Sequence, residues 1–368
     1  MRNASMNPKA VRRPFPRAQA GMSLVEVMVA VTLGLIIMAG LASLFASNSA
    51  ARNEIERSSR QIENGRFAME LIVNDLRLAG FFGEAVLPAQ GAGQGQPDVC
   101  STNPEEWKKG VYSPVFVYDN GAGVPSCITA GASIKAGTDV IVVRRASTCE
   151  AGVGDCPVML PNRPYIQVSR CDTDNLPDKP MIVATGGSGT WTNKLKDCAT
   201  RANLRLFMMR VYFISPDNGS GVAVPTLKRA DFTGSDFVVT NLVEGIEELN
   251  IEFGIDYLDR AGNGADPARQ LDGQPDIFVA DPANALLPNC TSKCDAANNW
   301  NNVVTARVHV LARNLEQSPN YKDTKTYTLG RDAGGFAIEV TPNDAYRRHA
   351  YTGVARLINI GQRRERPV

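Results

Sequence analysis

The sequence predicts an α+β chain: one long N-terminal α-helix, half transmembrane and half amphipathic, packed on a β-rich, disulfide-bonded globular domain. Three stretches carry that expectation. Residues 22–46 (MSLVEVMVAVTLGLIIMAGLASLFA) hold a single charge, Glu26. Residues 47–79 contain no proline and continue a helical pattern. After Gly80 the chain breaks into short β-prone runs between turn signals, and all eight cysteines lie there.

Residues 1–21 form a leader carrying Arg2, Lys9, Arg12, Arg13 and Arg17 and no acid. Its prolines and lack of periodicity predict no regular structure. A basic flank ahead of an apolar run places the N-terminus in the cytoplasm and the rest across the membrane. As a helix, residues 22–46 reach about 37 Å, enough to cross a hydrocarbon core of about 30 Å. No A-x-A-like site closes the run, so it lacks the usual layout of a cleaved secretory signal. The chain carries a net charge of +1, which leaves −4 once the five leader cations are set aside. A mildly acidic remainder argues against a general nucleic-acid binder, and no nucleic-acid partner is expected.

The helix is expected to run on to residue 80. Ile55, Ile62, Met69 and Leu76 recur every seven residues, with Ile72, Val73 and Ala79 beside them. They form one apolar stripe that needs a packing partner. Gly80 suits a terminator. Gly34, Gly40 and Gly65 interrupt the helix at about 1 kcal/mol each relative to Ala. Ala30 and Gly34 make a small-xxx-small pair suited to close helix contact. Packing, local melting and simple tolerance all fit these glycines.

Residues 81–368 are expected to form a β-rich globular domain on the far, periplasmic side, with residues 87–99 as a Gly/Gln/Pro loop. Strand candidates are Val115–Tyr118, Asp139–Val143, Tyr165–Val168, Met181–Ala184, Leu206–Ile214, Phe237–Leu242 and Leu249–Leu258. Val303–Ala312, Thr326–Leu329 and Ala350–Ile358 follow. Alternation is plainest in Leu249, Ile251, Phe253, Ile255, Tyr257 and in Val304, Ala306, Val308, Val310, which predicts an antiparallel sheet burying the helix stripe.

Chemistry-bearing motifs are sparse. The two histidines, His309 and His349, have no Cys or acid at ligand or catalytic spacing. There is no H-E-x-x-H, G-x-S-x-G or P-loop; Gly186-Gly187-Ser188-Gly189 lacks the following Lys and reads as a turn. No enzyme activity and no cofactor are expected. Cys290 and Cys294 could open a zinc site, but no second pair or His joins them, and a small disulfide loop is the better reading. The even number of cysteines (Cys100, Cys127, Cys149, Cys156, Cys171, Cys198, Cys290, Cys294) beyond the membrane segment suits an oxidising compartment. They allow about a hundred connectivities, which sequence does not decide. Local pairing favours Cys149–Cys156 and Cys290–Cys294, with Cys100–Cys127 and Cys171–Cys198 the simplest remainder. Asp259, Asn263 and Gly264 fit the first, fifth and sixth positions of a calcium loop, with Asp266 close by. Ala261 and Gln270 miss the third and twelfth, so a solvated turn is the better reading and no metal is expected. Arg363, Arg364 and Arg366 read as a solvated basic tail.

Gly21-Met22-Ser23-Leu24-Val25-Glu26 resembles the processing site of type IV prepilins, departing from the usual pattern in having Met22 where most members carry Phe. Val243-Glu244-Gly245-Ile246-Glu247-Glu248-Leu249 running into Phe253–Asp256 resembles the PilW family of minor pilins. So do Trp300–Val304 with Arg307 and Leu311–Asn314, and Tyr346-Arg347-Arg348 before a last strand. With residues 21–82 this covers about a third of the chain, and residues 85–235 resemble nothing known. The resemblance implies a type IV pilin fold, cleavage after Gly21 and methylation of Met22 by prepilin peptidase, and a subunit that primes pilus assembly near the filament tip. Its implied partners are other minor pilins and the major pilin through the N-terminal helix, and a tip adhesin. It implies a single pass through the inner membrane before entry into the filament. Glu26 is expected to set subunit register. A minor pseudopilin of type II secretion and a tip receptor for DNA or surfaces are the alternative readings.

Overall fold

The computed structural model describes residues 21–83, 96–171, 181–258, 272–288, 290 and 296–361. Packing divides the chain into two compact units, Met1–Ile55 and Glu56–Val368. Helix α1 (Leu24–Leu78) contributes to both. In the first unit, every described side chain from Met22 through Phe45 is exposed.

In the second unit α1 buries a face made of Gln61, Gly65, Ala68, Ile72, Val73, Asp75 and Leu76. Of the expected stripe Ile72, Val73, Leu76 and Ala79 are buried, and its earlier part is corrected. A straight helix turns 3.6 residues per turn, so a seven-residue repeat drifts by about 20° per repeat. The line from Ile55 to Leu76 therefore slides gradually onto the buried face. Ile55 is 69% exposed and Ile62 45%, Met69 is half-buried, and Leu76 is fully buried. Burying Ile72 and Leu76 contributes about 1.5–3 kcal/mol each. The helix ends at Leu78, and Gly80, with φ of +75°, turns the chain away.

Short helix α2 (Pro104–Tyr112) follows. Asn103 caps it, accepting from the Glu105 N–H at 3.0 Å, and Pro104 and two acids fill its first turn. Then come β1 (Val115–Tyr118), α3 (Ser126–Thr129), β2 (Val140–Glu150), β3 (Pro164–Val168), β4 (Met181–Thr185) and β5 (Leu204–Ser215). Strands β6 (Thr226–Phe232), β7 (Phe237–Glu244), β8 (Ile246–Ile255) and β9 (Ile277–Val279) lead to α4 (Ala296–Asn301). The chain continues with β10 (Val303–Arg313), β11 (Tyr327–Arg331), β12 (Ala337–Val340), β13 (Arg348–Arg356) and α5 (Ile358–Gly361).

All pairings between these strands are antiparallel. Strands β1 to β7 form one sheet, ordered β1-β2-β5-β3-β4. Strand β5 is long enough to pair β3 through Leu204–Leu206 and β6 through Arg210–Ser215 on the edge away from β2. A second sheet runs β13-β10-β8-β9, and β11 and β12 form a hairpin. Each expected run lies on a strand, but four ends differ: Asp139 and Thr326 fall one residue ahead of β2 and β11, and two runs overshoot their strands. Leu258 leaves β8 because Asp276 takes the Tyr257 and Leu258 N–H groups at 2.8 Å. Ile358 leaves β13 because the Leu357 carbonyl accepts Ile360 and Gly361 N–H groups and starts α5. Gly245, at φ +80°, makes the corner between β7 and β8, where a Cβ would lie 2.7 Å from the Arg313 carbonyl.

Two cores result. One lies between α1, the second sheet and one face of the first, and includes Ile72, Leu76, Ile141, Tyr212, Ile251 and Val308. The other lies on the opposite face of the first sheet, under α2, and includes Trp107, Val111, Val142, Phe207, Val211 and Phe213. Strand β2 serves both: Ile141 and Val143 point into the first core, Val140 and Val142 into the second.

Candidate functional site: the N-terminal helix and its seat

Gly21, Met22 and Ser23 precede the first helical residue, and the Val27 N–H donates to the Ser23 carbonyl at 3.1 Å. Glu26 sits in the first turn, where a carboxylate complements the positive end of the helix dipole. No described residue of the chain gives it a hydrogen bond or an ion pair at this position. Helix α1 is long and apolar enough, by length and composition, to cross a membrane. A helix apolar on every side needs lipid or other chains around it.

At its other end the helix is seated by a charge cluster. Asp75 is buried, and its carboxylate accepts from Arg145 Nε at 2.7 Å, Arg210 Nη1 at 3.0 Å and the Tyr212 hydroxyl at 2.9 Å. One helical side chain thus holds β2 and β5 together. Burial, reinforced by the Asp75 charge, pushes the Tyr212 hydroxyl's pKa up, so it remains a donor. Arg210 also reaches Asp231 on β6 at 3.2 Å. Gln61 Nε2 donates to the Ala312 and Arg347 carbonyls at 2.8 and 3.0 Å, and Asn64 Nδ2 to the Glu244 carbonyl at 3.1 Å. Gly65 lies against the Tyr351 ring, where a Cβ would come within 2.2 Å of a ring carbon. A Cβ at Gly353 would likewise meet Met69 Sδ at 2.6 Å. These glycines let the helix and β13 approach closely, so Gly65 is a packing residue.

The seat was not foreseen. Its signal was present: Asp75 is an acid inside the apolar stripe, and Arg144-Arg145 follow directly on the apolar run of β2. The Tyr346-Arg347-Arg348 segment has a structural counterpart. Arg348 is buried and bonds Glu247 at 2.5 Å and Asp344 at 2.6 Å, with Asp323 at 3.4 Å. Burial opposes its charge, but bonds to Asp344 and Glu247 outweigh that and raise its pKa.

Folding brings His309 within 3.0 Å of Glu252 and 3.1 Å of Thr352, partners that linear spacing could not reveal. His349 lies edge-on to Tyr351. Disulfides join Cys100 to Cys127, Cys149 to Cys156, and Cys171 to Cys198. Cys290 is also disulfide-bonded, and Cys294, its expected partner, lies outside the described residues. So do Asp259, Asn263 and Asp266 and the arginines of the tail. Gly186–Gly189 forms a turn under Met159–Pro161. Among the described residues no cluster of three His, Cys, Asp or Glu side chains could hold a metal.

The chain matches two protein families. Residues 16–42 match the prokaryotic N-terminal methylation motif. Residues 211–359 match the type IV pilus-assembly protein W family, from the middle of β5 into α5. This second match begins earlier than residue 235, where the recognisable part of the sequence was expected to start. No curated protein matches the chain. Among solved structures it is similar to a type IV-like pilin from Thermus thermophilus, at 12% identity over 82% of this chain and 97% of that one, with a TM-score of 0.31. Such families are structural pilin proteins, which engage other pilins and are processed by prepilin peptidase. With the methylation motif at its start, an apolar helix, and the protein W domain around that helix's seat, the chain matches a PilW-family type IV minor pilin.

Proposed function

We propose that this minor pilin is cut after Gly21 by prepilin peptidase, methylated on the new Met22 amine, and held in the inner membrane by residues 22–46. Its globular part then lies in the periplasm. From there it enters the pilus beside other minor pilins and the major pilin, helps to prime assembly, and stays near the tip. The observation that carries this reading is the N-terminal helix: apolar and exposed all round, with Glu26 as its one charge between residues 22 and 46. A charge at that depth costs a few kcal/mol unless paired. A neighbouring subunit's N-terminal amine, freed by cleavage and still charged after methylation, is the fitting partner. Pairing would fix the axial register of one helix against the next.

The test is complementation of a deletion strain with Glu26→Ala, blotting membranes and sheared filaments separately. The variant should insert and be cleaved normally, since its helix becomes more apolar and Gly21 is untouched. It should be depleted from filaments, or filament number should fall. Wild-type piliation with wild-type amounts of Glu26→Ala in filaments would contradict the register role.

A further inference from the structure

The first sheet carries a feature the pilin reading does not use. The disulfide Cys149–Cys156 closes a short loop at the end of β2. Beside it lies a cavity of about 260 Å³, lined by Cys149, Cys156, Val158, Leu160, Tyr165 and Arg163. Its rim is apolar and open: Val158 is 67% exposed and Leu160 52%, with Val153 and Met159 also facing solvent. Apolar side chains gathered at one spot beside a preformed cavity mark a binding surface rather than scattered exposure.

Two further observations say what fits. The Arg163 guanidinium, half-buried in the cavity wall, has no hydrogen-bond or ion-pair partner among the described residues. Glu150, the nearby acid on β2, is already held by Arg205 at 2.5 Å and Asn203 at 2.7 Å. Among the described residues the backbone of Val158 and Met159 makes no hydrogen bond, although Pro157 and Leu160 on either side do. An amphiphile filling the cavity would leave that unpaired backbone bare. An extended peptide would pair with it, as in strand addition.

We propose that this surface docks an extended peptide segment of another protein, one that places an aliphatic side chain in the cavity and an adjacent carboxylate on Arg163. The disulfide keeps the cavity wall preformed, which lowers the ordering cost of binding. The site shares no residue with Glu26 or the helix seat, so its test can fail without touching the pilin reading.

The test uses the full-length chain in nanodiscs and a peptide labelled on its N-terminal amine, fluorescein-Thr-Val-Leu-Glu-Val-Thr-amide. Saturable binding is expected, weakened about tenfold when Gln replaces the peptide's Glu, the discrimination a charge-assisted hydrogen bond supplies. Arg163→Glu should lose the Glu peptide and gain one carrying Lys at that place, a reversal that general loosening would not produce. Met159→Thr, on the exposed rim, should weaken binding several-fold with an unchanged melting curve. No binding of the Glu peptide, equal binding of the Glu and Gln peptides, or indifference to Arg163→Glu would overturn the proposal. Octanoate displacing nothing is expected; octanoate binding in the peptide's stead would assign the cavity to a small amphiphile and overturn peptide docking.

Discussion

Asp75 is a single carboxylate that satisfies three donors from two strands in a buried place. Removing one partner of such a cluster leaves the others charged and buried. Asp75→Asn should therefore lower stability by about 3–5 kcal/mol, read by chemical denaturation followed through tryptophan fluorescence. Asp139, just ahead of β2, behaves differently. It links the two sheets, accepting from the Asn120 and Ile251 N–H groups at 2.9 and 2.8 Å. Burial pushes its pKa up to about 7 despite those bonds. Its folded pKa thus lies above the ordinary 3.8, so its contribution to stability is full below pH 4 and lost as pH rises through 7. Stability should fall across that window by at most about 1.4 kcal/mol per pH unit from this group. Burial raises Glu248 as well, against its ion pair with Lys135, and adds in the same direction. Asp139→Asn should flatten the fall; an unchanged slope would place its origin elsewhere. Neither role was legible in the sequence, because Asp139 depends on the Ile251 N–H, more than a hundred residues away, and Asp75 on two arginines of separate strands.

At the scale of elements, the sequence was readable wherever one face is apolar. Strands β8 and β10 alternate cleanly because their second faces carry Glu248, Asn250, Glu252 and His309. Strand β6 was missed because Lys228, Arg229 and Asp231 interrupt it; in the fold Lys228 reaches Asp217 and Arg229 reaches Asp231. Helix α1 is amphipathic as expected, with Ile72, Val73, Leu76 and, just past its end, Ala79 buried, but Ile55 and Ile62 fall off the buried face through the drift between 7 and twice 3.6 residues. Gly65 tests how tightly that face fits. Alanine would favour the helix by about 1 kcal/mol, yet its Cβ would strike the Tyr351 ring. Gly65→Ala should therefore destabilise by about 1–3 kcal/mol. In a Tyr351→Ala background the same change should become neutral or stabilising, and additive effects would refute the contact. The disulfides make a second element-scale prediction. Cys171–Cys198 spans 27 residues and Cys149–Cys156 spans 7. By loop closure, replacing the first pair with serine should cost about 3.5 kcal/mol and the second about 2.4. A larger loss from the shorter loop would point to packing rather than chain entropy.

The whole molecule joins two parts with opposite needs. The globular part satisfies itself, with two cores and a helix held by Asp75, Gln61 and Asn64. In the N-terminal part the side chains from Met22 through Phe45 are exposed, and among the described residues Glu26 has no partner. Such a division makes sense only if the missing contacts come from a membrane and then from other subunits. That conclusion was the most legible of all, because it rests on contiguous residues: a basic leader, Gly21, and one acid in an apolar run. Between Cys100 and Cys198 the favoured pairings Cys100–Cys127, Cys149–Cys156 and Cys171–Cys198 are the ones found, and what stayed illegible is the sheet order, which depends on long-range strand pairing. The central claim is that cleavage after Gly21 creates the amine that assembly uses. It is tested most directly by the mass of the N-terminal peptide of the chain recovered from sheared filaments. The account predicts a first residue of Met22, heavier by one methylene from N-methylation. A chain still carrying residues upstream of Met22, one cut after Ala46, or one absent from the filaments would contradict it.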